Sequence, residues 1–150
     1  LIMDANLSLL LHASKLKFRV DEPLDISIRI KNNGNNLVTI PHILFNHDTL
    51  FVKVQDSKKN NVDFPNSNLG VFVGYPKDKD TGNVIIQTIA LGPDEFWGSD
   101  TLLRAYPIVL GKPGRYQIYV QAVFFAHGKG FPENVWLGKL ESSINVSIVP

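Results

Sequence analysis

Apolar and polar side chains alternate along most of this chain. Leu24, Ile26, Ile28 and Ile30 lie between Asp25, Ser27, Arg29 and Lys31, the period-2 pattern of a strand with one face on a core and the other in water. Asn32, Asn33, Gly34, Asn35 and Asn36 follow. Asn and Gly tolerate the left-handed backbone of tight reversals, so a turn is predicted there, with a second strand over 37–45 and a hairpin joining the two. Tyr116, Ile118, Val120, Ala122 and Phe124 share one face opposite Gln117, Tyr119 and Gln121, and Ile144, Val146 and Ile148 alternate with Asn145 and Ser147. Both stretches read as strands. Shorter ones are expected at Leu16, Phe18 and Val20, at Val52 and Val54 before the polar turn 56–61, and, more weakly, at Leu7, Leu9 and Leu11. The segments 71–75 and 84–91 are β-branched and aromatic without clean alternation, as expected where both faces are partly covered.

No window places apolar residues at i, i+3, i+4 and i+7 between a helix cap and a terminating glycine. Prolines and glycines fall between the apolar runs at the spacing of turns. The expectation is an all-β fold: an antiparallel β-sandwich of about eight or nine strands in two sheets. Strand lengths run from long (116–125) to short (16–20), which favours a sandwich with a divided first strand over an evenly staved barrel.

With 150 residues, a single domain over 1–150 is expected. Hydrophobic residues at 44% and charged ones at 19% place it among ordinary folded domains, and its apolar runs are too short for a membrane span. Fifteen Lys and Arg against 14 Asp and Glu leave a net charge of +1, which offers no overall field for nucleic acid or an anionic membrane. The absence of cysteine removes disulfides, thiolate metal sites and a cysteine nucleophile. The chain opens on Leu1 with no signal-peptide pattern, as expected of a processed product whose leader has gone.

Three stretches carry a resemblance. Val20-Asp21-Glu22-Pro23-Leu24-Asp25-Ile26, running to Asn32-Asn33-Gly34, opens and closes one strand; Leu110-Gly111-Lys112-Pro113-Gly114-Arg115-Tyr116 is a Pro-Gly turn leading into a tyrosine; Val135 to Ser143 leads into the last alternating run. Together they resemble the bacterial immunoglobulin-like β-sandwich domains of secreted and surface proteins. That likeness implies a Tyr116 hydroxyl bonded back to the preceding loop, the tyrosine-corner device, and an exported, periplasmic or surface location. The Cys and Trp framework of antibody domains is missing. A weaker likeness, in 50–56 and in Leu91-Gly92-Pro93-Asp94-Glu95-Phe96, is to small bacterial proteinase-inhibitor sandwich domains, and implies a loop presented to a protease.

Candidate chemistry is sparse, and a non-catalytic module without cofactor or metal is expected. His12, His42, His47 and His127 match no metal-ligand spacing. Asp78-Lys79-Asp80-Thr81-Gly82-Asn83 resembles part of a calcium loop, but its glycine comes early and no distal glutamate follows, so a hairpin turn is expected. Ser99 lacks a nucleophile-elbow context, and the pairs Asp21 with Glu22 and Asp94 with Glu95 read as turn chemistry. Phe96 and Trp97 are expected to cap an open end of the sandwich. The most distinctive stretch is 124–136. It is expected to form an end loop with Trp136 and Phe124 filling the core, the competing reading being that His127, Lys129, Phe131 and Trp136 offer an aromatic and cationic platform to protein or glycan.

Overall fold

The alternating runs become strands. The structure, a computed structural model, describes residues 6–41, 50–64, 77–85, 87–99, 108–124 and 129–150. All regular elements among them are strands: β1 (Leu7–Ala13), β2 (Lys17–Arg19), β3 (Ile26–Asn32), β4 (Val38–Pro41), β5 (Leu50–Asp56), β6 (Thr88–Leu91), β7 (Phe96–Ser99), β8 (Gly114–Phe124) and β9 (Gly138–Val149). No helix among the described residues is long and apolar enough to cross a membrane. The predicted strand over 71–75 lies outside the described residues, as do most of 37–45 beyond β4.

One sheet has the order β1-β3-β7, the other β2-β9-β8-β5, and β4 pairs with β6 in a separate ribbon. Inward side chains meet in one hydrophobic cluster. Ile26, Ile28, Val120 and Val146 are all at most 2% exposed, so the alternation identified the core face correctly. The first strand is divided as expected, and the division moves the chain between sheets. β1 pairs antiparallel with β3, whereas β2, three residues further on, pairs parallel with β9. Phe18, the inward residue of β2, opposes Ile148 and is buried. These are the features of an immunoglobulin-like β-sandwich.

The predicted hairpin between 24–31 and 37–45 does not form. β3 pairs with β1 and β7, while β4 pairs with β6, so the asparagine-rich turn carries the chain away from its own strand. The cause is Asn32, which continues the inward series Ile26, Ile28, Ile30 and is fully buried. Its side-chain amide donates to the carbonyls of Asn36 (2.8 Å) and Leu91 (2.9 Å), and its Oδ1 accepts from the Gly34 amide (2.9 Å). The Asn32 backbone closes on the β6–β7 turn, accepting from Asp94 N and donating to Glu95 O. A buried amide with every partner satisfied locks the corner where three segments cross.

Phe96 and Trp97, expected at an open end, instead belong to β7. Trp97 opposes Ile30 and packs against the core, while Phe96 faces outward beside Lys31. Four residues are too few for alternation to show in the sequence. Among the described residues of the 84–91 stretch, the strand is β6, with Val84 in an isolated bridge to Lys77.

Candidate functional site

The Pro-Gly turn before β8 behaves as its resemblance implies. Tyr116 points inward, is 8% exposed, and its hydroxyl donates to the Lys112 carbonyl at 2.8 Å. That bond fixes the loop arriving from Leu110, whose carbonyl in turn accepts from Asp21 N.

The 78–83 segment is a turn built on one carboxylate. Asp78 Oδ1 accepts from the amides of Asp80 (2.8 Å) and Thr81 (3.0 Å), and the Asp78 carbonyl accepts from Gly82 N. Those two amides hold the Asp78 carboxyl below its ordinary range, the Thr81 amide contributing most. Asp80 has no such partner role, and among the described residues no three acidic or imidazole groups converge as a metal would require. His12 stands exposed on β1 opposite Ser27; His42 and His47 lie outside the described residues.

The predicted platform is brought only partly together. His127 lies outside the described residues. Lys129 is exposed and its carbonyl accepts from Val84 N (2.7 Å); Trp136 N donates to the Thr39 carbonyl (2.7 Å). Residues 129–137 therefore form a strap fastened at both ends, to the 77–84 turn and to β4, rather than a free loop. Phe131 and Trp136 are half-buried against the core, and the Trp136 ring meets Phe124 edge-on with centroids 5.6 Å apart. Trp136 also lies across Gly138: a Cβ there would come within 2.7 Å of its ring, so only glycine admits this packing. The Leu91 to Phe96 turn, the stretch similar to inhibitor domains, is pinned to Asn32 through Asp94 and Glu95.

A second constellation escaped the sequence analysis. The outward residues of β5, β8 and β9 fall into rows: Phe51, Gln121 and Glu141; Lys53, Tyr119 and Ser143; Gln55, Gln117 and Asn145. Gln121 donates to Glu141 at 2.9 Å, Lys139 pairs with Glu141 at 3.3 Å, and Lys53 Nζ sits 5.4 Å from the Tyr119 ring centre. Tyr119, Gln121 and Lys139, in that order of influence, hold the Glu141 carboxyl below its ordinary range, and the same Glu141 pushes the Tyr119 phenol up. Where the face ends, β2 borders a shallow groove of about 490 Å³ lined by Lys17, Arg19, Asp21, Glu22 and Lys15 among others. Glu22 there binds Lys15 Nζ and the Arg19 amide, which together lower its pKa. The signal that would have found these rows is the pairing register, which single-strand periodicity does not carry.

No family model matches the chain, and no curated protein matches it. Among solved structures it is similar to the CARDB domain of a Pyrococcus furiosus protein, crystallised in complex with di-metal ions, at 13% identity and a TM-score of 0.42 over 99% of this chain and 91% of that one. It is also similar to part of a mutant β-glucosidase from Listeria innocua solved with laminaribiose, at 13% identity and a TM-score of 0.41. A β-glucosidase from Erythrobacter marinus gives 12% and 0.37. The chain spans 16% of the length of either glucosidase. These distant likenesses carry no statement about what this chain binds.

Proposed function

We propose that the chain is a non-catalytic immunoglobulin-like module of an exported bacterial protein, serving as a spacer or as a contact for protein or glycan through the strap 129–137. The observation that carries this reading is how the polar groups are employed. Asn32, the one buried polar side chain among the described residues, is saturated by backbone groups, and the shifted carboxyls of Glu22, Asp78 and Glu141 are surface groups held by turns and cross-strand partners. Catalytic sites place strained or perturbed groups in a cleft; here those groups serve architecture. The strap supports a contact role because Lys129 is exposed and Phe131 and Trp136 are half-buried on a backbone fastened at both ends. Rigid aromatics cost little entropy when a ligand settles on them.

The test is titration of the purified chain against arrayed glycans and surface proteins. Saturable binding without product release, weakened severalfold by Lys129→Ala, is the expected outcome. Turnover of any bound glycan, or binding to none of the arrayed ligands, would overturn the reading.

A further inference from the structure

We propose that the outer face of the four-stranded sheet binds an acidic polysaccharide. The near-neutral chain conceals a segregated surface. Lys17 and Arg19 on β2, Lys53 on β5, Arg115 on β8 and Lys139 on β9 all lie on this face, and Glu141 is the single acidic residue at the outward positions of its strands. Asp56 closes β5 opposite the inward Tyr116, its carboxylate taken up by the Lys58 and Asn60 amides, and the remaining carboxylates of the described residues sit in turns and loops, Asp21 and Glu22 at the corner beyond β2. Glu141 is already engaged by Tyr119, Gln121 and Lys139. Lys17 and Arg115, by contrast, form no ion pair with any described residue. They flank Ser147 in one register row, and with strands about 4.8 Å apart their backbones stand roughly 10 Å from each other, with Arg19 one pleat further along β2.

The occupant follows from what fills the space between these cations. Gln55, Gln117, Gln121, Asn145, Ser143 and Ser147 offer amide and hydroxyl groups that both donate and accept, which suits the hydroxyls of a sugar chain. Unpaired lysine and arginine suit its carboxylates or sulfates. A protein partner would want an apolar centre on this face, but the exposed large apolar side chain, Phe51, is at the rim on the edge strand β5. A single-stranded nucleic acid would want several rings spaced along the face to stack successive bases on, but Lys53 lies over Tyr119 and Phe51 stands alone at the rim. A flat, extended, polar face with spaced cations fits an extended polyanion rich in hydroxyls.

The probe is polygalacturonate, with fully methyl-esterified polygalacturonate as the same backbone without charge. Binding of the first, falling steeply with salt and lost for the second, is expected. Lys17→Ala with Arg115→Ala should weaken it about tenfold, and Lys53→Gln with Lys139→Gln should weaken it as a second, independent pair on the same face. These side chains are exposed, so their replacement leaves the core intact. Arg29→Ala with Lys31→Ala on the opposite sheet should change nothing. Lys129→Ala, the probe of the strap, should leave this affinity unmoved, so this proposal and the strap reading fail separately. Equal binding of the esterified polymer, of poly-glutamate or of poly-dT, equal loss from the opposite-face pair, or no binding at low salt would each overturn the proposal.

Discussion

On the four-stranded sheet the outward side chains of β5, β8 and β9 form rows of amides, hydroxyls and charges. On the three-stranded sheet the outward set is Ser8, Leu10 and His12 on β1, Ser27, Arg29 and Lys31 on β3, and Phe96 and Gly98 on β7. Both faces are produced by the same alternation and both carry arginine and lysine, yet the cations serve differently. Arg29 opposes Gly98, where a Cβ would come within 2.8 Å of its Cγ, so its stem lies flat and its guanidinium rests 5.0 Å from the Phe96 ring centre. Arg115 opposes Ser147 and has no such ring or acid to settle on among the described residues. What a surface cation does is decided by its cross-strand neighbour, not by its own strand.

The largest perturbation should erase the contrast by removing what the faces share. Ile30 under the three-stranded sheet and Ile118 under the four-stranded one are both fully buried. Replacing either by Ala should cost about 2–5 kcal/mol, and denaturant melts followed by Trp and by Tyr fluorescence should still coincide. Separate transitions would mean that the sheets do not share one cooperative core.

Gly98→Val should strike one face alone. The new side chain meets both the Arg29 stem and the Ile28 carbonyl, 3.0 Å from its Cβ. Such overpacking costs about 1–3 kcal/mol, and hydrogen exchange should quicken in β1, β3 and β7 before β8 and β9. Tyr116→Phe acts on the other side, deleting the bond to Lys112 O. A stability loss of about 1 kcal/mol by chemical denaturation is expected.

The smallest effect is electrostatic. The Glu141 carboxyl is held below its ordinary value in the folded state. Its contribution to stability is therefore present above the unfolded-state pKa of about 4.3 and fades as pH falls through the lower folded value. Glu141→Gln should flatten the acid limb of the melting-temperature profile slightly, because an exposed, screened group contributes little.

Much of the fold was legible in single strands. β3, β8 and the inward end of β9 were read from their alternation because each buries one face and wets the other, which makes side-chain periodicity a direct record of environment. The tyrosine corner was implied by the resemblance that its Pro-Gly turn carries. β7 was missed because four residues carry too little pattern, and the hairpin from β3 into β4 was wrongly expected because turn propensity says that a chain reverses but not what it next pairs with. Asn32 was written in the inward series of β3, but its partners lie 59 residues away at Leu91 as well as nearby at Asn36. The fastening of the strap to Thr39 and Val84 depends on distant backbone that no local pattern reports.

The order of residues by itself settled that the chain would be all-β and which side of each longer strand would be dry, since burial of alternate side chains is a nearest-neighbour property of an extended backbone. Only the tertiary structure settled strand partners, and with them the gathering of Lys17, Arg19, Lys53, Arg115 and Lys139 on one face of a chain whose charges almost cancel. Those residues are separated by up to 122 positions in sequence, from Lys17 to Lys139, and hydrogen-bonded register alone sets which of them meet.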